Sequence, residues 1–303
     1  MESRVDLKGV LAAVLTPMDE DLSPDYPAFA AHCQRLLASG CHGLSVFGTT
    51  GEANSLSVNE RLAALEALLE RGVPPEKLLP GTGSCALTDT VLLSRAALEA
   101  GTAGALVLPP FYYKGVGDDG LFCFFAEVVE RVGDDGLRLY LYHIPQMTGI
   151  DLGLPLISRL IDAYPSVVVG TKDSSGDRER ILTLCRELPD FSVLAGTETL
   201  LLETLRSGGE GCISATVNVT SRLARRVYDA HSAGKADEAE ALQDRLTQLR
   251  ASIEAYPVIP ALKRLMAHLT GDEQWRNIRP PLSSLEERQA KDLLSNVPLT
   301  ELL

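Results

Sequence analysis

A chain of 303 residues, 45% of them hydrophobic, has material for a sizeable core and a length compatible with one large domain or two. Its formal net charge is −13 and no block of basic residues interrupts the acidic balance, which argues against nucleic acid or an anionic membrane surface as the main partner. An anionic substrate would therefore need a local device to hold it.

The stretch 1–9 is polar and lacks a signal-peptide pattern, and no apolar run reaches membrane-spanning length, so a cytoplasmic protein is expected. Short apolar runs then recur at 9–15, 43–47, 77–79, 103–108, 138–142, 167–170, 192–194 and 211–213. Helical patterns lie between most of them, clearest at 59–69, where Asn59 is a candidate N-cap, and at 89–100 and 121–132. Between the last two runs there is room for little more than a helix over 199–207. Strands alternating with helices imply a parallel sheet, and eight such units imply a closed (β/α)₈ TIM barrel, an α/β fold. From about residue 221 the strand signal ends, and 222–233, 236–255 and 259–269 read as helices, the last two separated by Pro257 and Pro260. The expected organisation is a barrel over 1–225 with a C-terminal helical extension over 226–303.

The six cysteines are scattered singly and show no Cys-x-x-Cys, so neither a zinc site nor a disulfide framework is signalled. The five histidines show no metal-ligand spacing, and no metal is expected. Asn218-Val219-Thr220 matches a glycosylation sequon by chance.

In such a barrel the active site lies at the C-terminal ends of the strands. Lys172 is the most informative residue there. It closes the run Val167-Val168-Val169-Gly170-Thr171, which reads as a strand buried on both faces. An apolar pocket favours the free amine of a lysine, the form that attacks a carbonyl to give a Schiff base. Tyr142 stands in the equivalent place after 137–141. The pair fits imine chemistry with a phenol as proton carrier; it equally fits a surface lysine and an ordinary barrel aromatic. His143, next to Tyr142 on a strand, points the other way and reads as structural. Gly48-Thr49-Thr50-Gly51-Glu52 suits carboxylate binding, since glycines allow close backbone approach and two hydroxyls can donate; a plain strand-to-helix turn is the alternative. Gly81-x-Gly83-x-x-Ala86 fits a dinucleotide fingerprint only superficially, following the third strand with no acidic residue ending the next. Glu198 either bonds substrate hydroxyls or caps a helix.

Over nearly its whole length the chain resembles the dihydrodipicolinate synthase / N-acetylneuraminate lyase family of class I, pyruvate-handling aldolases. The motifs are Gly48-Thr49-Thr50-Gly51-Glu52, Tyr142-x-x-Pro145-x-x-Thr148-Gly149, and Gly170-x-Lys172-Asp173 followed by Ser175-Gly176-Asp177. The resemblance implies that Lys172 forms an imine with pyruvate and that Tyr142 relays protons with Thr50. It implies that Thr49 and Thr50 hold the pyruvate carboxylate. Tyr112 would reach into a neighbouring subunit's site, in a homotetramer built as a dimer of dimers. Gly48, Gly51, Met147, Glu198 and Ile213 are the further positions assigned to substrate contact. No metal or organic cofactor is needed.

The departures narrow the reading. Synthases of lysine biosynthesis carry an arginine for the second substrate's carboxylate where this chain has Met147, and a methionine cannot make that bidentate contact. Sialic acid lyases usually carry serines where this chain has Thr49 and Ala215. The stretches Lys172 to Asp177 and Pro110 to Tyr113 look more like the 4-hydroxy-2-oxoglutarate and 2-keto-3-deoxy-sugar-acid aldolases. The expected activity is a Schiff-base lyase joining or parting pyruvate and an aldehyde. The rivals are a dihydrodipicolinate synthase with a relocated carboxylate contact, a metal-dependent aldolase, and a non-catalytic pyruvate-binding paralogue.

Overall fold

The computed structural model describes residues 7–303. Most of the polar N-terminal stretch lies outside them. Among the described residues seven parallel strands form one sheet: β1 (Gly9–Ala13), β2 (Gly43–Ser45), β3 (Ala105–Val107), β4 (Leu139–His143), β5 (Val168–Asp173), β6 (Ser192–Ala195) and β7 (Gly211–Ser214). They lie side by side in the order β2-β1-β7-β6-β5-β4-β3.

The run at 77–79, expected as the third strand, closes the barrel without forming a regular ladder. Leu78 bridges Leu44 and Gly81 bridges Leu106, both parallel. Leu79 N–H donates to the Leu44 carbonyl and Leu106 N–H to that of Pro80. Pro80 has no N–H to give, so the ladder is broken at its centre. Gly81 is required here by space: a Cβ would stand 2.2 Å from the Phe47 carbonyl oxygen.

Helices follow the strand positions, from Tyr26–Ala38 to Val217–Ser232, with a short extra turn, Pro145–Thr148, after β4. The helix Val58–Glu70 starts two residues earlier than an N-cap at Asn59 implies. Ser57 caps it, accepting from Glu60 N–H while the Glu60 carboxylate accepts from Ser57 N–H, a reciprocal capping box. The last barrel helix runs unbroken through position 225 to Ser232. The extension then adds Ala236–Glu254, Val258–Thr270 and Glu287–Asn296. The third of these has no counterpart among the sequence-predicted helices. No helix among the described residues is long and apolar enough to cross a membrane.

Alternation along each strand sorts the core. Leu11, Leu106, Tyr140, Tyr142, Leu194 and Ile213 cluster inside the barrel, whereas Val10, Leu139, Leu141 and Val193 pack outward against the helices. Gly170 makes room for the Tyr140 ring, which a Cβ at that position would meet at 2.6 Å.

The extension is tied to the strand-end loops by polar contacts. Glu52, left-handed at φ 57°, pairs with Lys263, and both side chains are buried. Arg279 N–H donates to the second Glu52 oxygen at 2.9 Å, and its guanidinium reaches Glu60 and the Ser55 carbonyl. The last residue of the Gly-Thr-Thr-Gly-Glu motif is thus an anchor for the extension. Asn218 of the sequon is fully buried and bonds the Ala13 carbonyl, which excludes a glycan.

Candidate active site

β4 and β5 set Tyr142 opposite Lys172 in register. Lys172 Nζ donates to the Tyr142 hydroxyl at 3.2 Å, and that hydroxyl shares a hydrogen bond with Thr49 Oγ1, also 3.2 Å. The lysine nitrogen stands 4.3 Å from the centroid of the tyrosine ring. Both side chains are buried, yet both face a cavity of about 610 Å³ into which Thr49 and Thr50 also open. Lys172 stands at the end of β5 as its penultimate residue, the strand running on to Asp173. Asp173, after it, faces outward and is bound by Arg180 Nε at 2.6 Å and by Ser175 N–H at 2.9 Å. Asp177 then caps the next helix. The Lys-Asp-Ser-Ser-Gly-Asp stretch fixes the strand end that carries the amine.

Burial opposes ionisation of the Tyr142 phenol. The charge of Lys172 and hydrogen bonds with Thr49, Lys172 and Ser174 outweigh it and hold the phenol below its ordinary pKa. Ser174 is a site residue that the sequence motifs did not single out. Its backbone N–H donates to the His143 carbonyl at 2.8 Å, and Gly196 leaves space for its hydroxyl, which a Cβ there would meet at 2.1 Å. His143 is buried on the opposite strand face and accepts from Leu152 N–H, and burial is the chief cause that lowers its pKa.

Several positions assigned to substrate contact sit elsewhere. Glu198 neither opens to the cavity nor caps a helix. It is fully buried, and its carboxylate is taken up by Ser214, Thr216, Thr220 and Arg250, the last at 2.5 Å. Burial works against that carboxylate, but the Arg250 guanidinium and the two nearest hydroxyls hold it below the usual range. The cap of the turn at 198–200 is Thr197. Ile213 belongs to the barrel interior, packed among its apolar residues. Gly51 is fixed by close approach, since a Cβ would stand 2.8 Å from the Val14 carbonyl oxygen. Gly48 borders a small cleft beside Thr49 and Tyr142. Tyr112 is 75% exposed, stacked edge-on against Tyr113, and does not line its own subunit's cavity. Met147 stands at the cavity rim, 63% exposed.

The wall facing the strand ends comes from the extension: Arg250, Glu254 and residues 257–260. Nothing in the motif spacing marks these residues, because their place depends on how helix Ala236–Glu254 packs. Among the described residues no group of three or more His, Cys, Asp and Glu could hold a metal ion.

A closed parallel barrel with a buried lysine and a phenol at its strand ends defines the class of lysine-dependent (β/α)₈ enzymes. The chain matches the dihydrodipicolinate synthetase family over residues 6–298, and it belongs to that family, whose members are class I Schiff-base lyases and aldolases. It is 35% identical over 288 residues to an uncharacterized DapA-like lyase of Chloroflexus aurantiacus, covering 94% of each chain. It is 33% identical over 283 residues to a 4-hydroxy-tetrahydrodipicolinate synthase of Agrobacterium fabrum, covering 92% of this chain and 93% of the relative. Among solved structures, dihydrodipicolinate synthase from Agrobacterium tumefaciens superposes with a TM-score of 0.86 at 34% identity, over 95% of this chain and 97% of that one. YagE of Escherichia coli K12, a prophage protein of the same family solved in complex with pyruvate, gives 0.86 at 29% identity, over 95% and 96%.

Proposed function

We propose that this enzyme makes or breaks a carbon–carbon bond between pyruvate and an aldehyde, acting on a hydroxylated 2-oxo acid or a deoxy sugar acid. The supporting observation is the hydrogen-bonded line Lys172–Tyr142–Thr49 at the floor of a cavity whose rim carries Met147. A relative's complex with pyruvate supports the ketone partner.

In the synthetic direction Lys172 Nζ attacks the keto carbon of pyruvate, and water leaves as the imine forms. The imine withdraws electrons, so the adjacent methyl loses a proton and becomes an enamine carbon. That carbon attacks the aldehyde carbon while the aldehyde oxygen takes up a proton. Water then hydrolyses the imine and frees the lysine. Tyr142, hydrogen-bonded to both Lys172 and Thr49, would carry these protons, and Thr49 with Thr50 would hold the pyruvate carboxylate. Exposed Tyr112 would complete a neighbour's site in a homotetramer.

A panel of 2-oxo acids assayed for pyruvate release tests the reading; release from none of the hydroxylated acids overturns it. The relatives named as 4-hydroxy-tetrahydrodipicolinate synthases favour a second reading, condensation of pyruvate with aspartate semialdehyde. Steady-state kinetics with that aldehyde separate the two.

A further inference from the structure

We propose that the Arg250–Glu254 pair selects the acceptor half of the substrate, admitting a neutral hydroxylated chain and turning away a second carboxylate. The inference rests on the aldolase reading above, and the residues lie on the wall opposite its catalytic line.

Arg250 and Glu254 are one turn apart at the end of helix Ala236–Glu254, and both line the Lys172 cavity. Arg250 Nη1 donates into the buried cluster of Glu198 Oε2 at 2.5 Å, Ser214 Oγ at 2.7 Å and Thr216 Oγ1 at 2.9 Å. Arg250 Nη2 donates to Glu254 Oε1 at 2.6 Å. Arg250 Nε is buried and finds no hydrogen-bond partner among the described residues. One guanidinium thus faces two carboxylates, and this wall carries a net negative charge. Its inner carboxylate, Glu198, is sealed from the cavity. Its outer one, Glu254, has 42% of its side chain exposed and is what a ligand meets.

An ionised carboxylate only accepts hydrogen bonds, so it recognises donors such as hydroxyls. Thr197, Thr199 and Gln146 line the same cavity and can give or take hydrogen bonds with a hydroxylated chain. A carboxylate on the acceptor would meet Glu254 instead. The charged groups lining the cavity are Lys172, Arg250 and Glu254, and Arg250 is already matched twice. Lys172 is the amine committed to the imine. A second carboxylate would therefore have to displace Glu254 from Arg250 or remain unpaired beside it, both unfavourable. The remaining donor of Arg250, its Nε–H, is buried away from the cavity and is not open to a second carboxylate in the resting wall.

The test compares kcat/KM for pyruvate condensed with glyceraldehyde, a neutral hydroxylated acceptor, against pyruvate condensed with succinic semialdehyde, which carries a carboxylate. Wild-type enzyme is expected to prefer glyceraldehyde. Glu254→Gln keeps the size of the side chain and removes its charge, and should reduce that preference by about tenfold, the effect of removing one like charge at a partly exposed site. Glu254→Asp should restore most of it. Borohydride trapping of pyruvate on Lys172 is measured in parallel. A preference unmoved in Glu254→Gln, or a wild-type preference for succinic semialdehyde, overturns the inference while the trapped imine leaves the aldolase reading intact. Absence of the imine in wild-type enzyme overturns the reading on which it rests.

Discussion

Tyr142 and Lys172 are register partners on neighbouring parallel strands, and their side chains meet at 3.2 Å on the face that looks into the barrel mouth. Register is what brings them together. Strand side chains alternate with a period of two, so a slip of one residue in β5 would present Thr171 or Asp173 in place of the amine. Thr171 instead donates to the Leu141 carbonyl at 3.0 Å, and Asp173 is held by Arg180, so both neighbours have partners on the other face.

Borohydride added with pyruvate should leave a reduced adduct on the peptide containing Lys172. Lys172→Arg keeps a cation but cannot form the imine, and turnover should fall by roughly a thousandfold or more. Peptide mass spectrometry and steady-state assay check this. An unmodified Lys172 peptide after complete reduction would remove the Schiff-base mechanism.

Ser174→Ala should move the Tyr142 phenol up toward its ordinary pKa. The hydrogen bond with Ser174 is among the contacts that favour the ionised phenol, so losing it favours the protonated form. If ionisation of Tyr142 sets the alkaline limb of the kcat/KM profile, that limb shifts to higher pH in the variant. The profile, together with ultraviolet titration of the phenolate, measures the shift, and a move to lower pH would contradict the assigned contact.

Turnover of aspartate semialdehyde should be poor, because Met147 offers its carboxylate no charged partner. Met147→Arg should raise kcat/KM for this aldehyde by on the order of tenfold to a hundredfold, the scale of one charged hydrogen-bonded contact. A wild-type kcat/KM for the semialdehyde above that for every hydroxylated 2-oxo acid tested would show that another residue holds the carboxylate.

Lys263→Ala should destabilise the fold by about 3–5 kcal/mol, since it leaves the Glu52 carboxylate buried without its cation. Urea unfolding monitored by circular dichroism gives the value. The double variant Glu52→Gln, Lys263→Met should recover part of the loss. No recovery in the double variant would show that the loss does not come from an unpaired Glu52 carboxylate.

Tyr112→Phe should lower kcat by tenfold or more, on the order expected for loss of one proton-relay hydroxyl. Sedimentation velocity should find a homo-oligomer in both proteins. A fully active wild-type monomer would sever Tyr112 from catalysis, because its own subunit's cavity does not include it.

The barrel was legible because buried strands write themselves as short apolar runs, and Lys172 and Tyr142 stood out because each put a polar head where a run ended. The third strand was legible as a run but not as an irregular one; Pro80 breaks its ladder, and only the partner strands reveal how it still closes the sheet. Glu198 was misread for a different reason. A glutamate after a strand looks available until its partner is known, and Arg250 lies 52 residues away on a helix of the extension. Arg250 and Glu254 had no local signature for the same reason. Ser174 sat inside a recognised stretch, but its contact with Tyr142 comes from across the sheet.

The two sides of the cavity have separate origins in the chain. Barrel strands carry the amine and the phenol and the loop after β2 carries the threonines, whereas the opposite wall is lent by helices beyond residue 235. Mutational drift in that outer wall can therefore retune which aldehyde is accepted without touching the atoms that make the imine. A lineage built this way can change diet while keeping its chemistry, and one that loses the Glu52–Lys263 clasp risks both together.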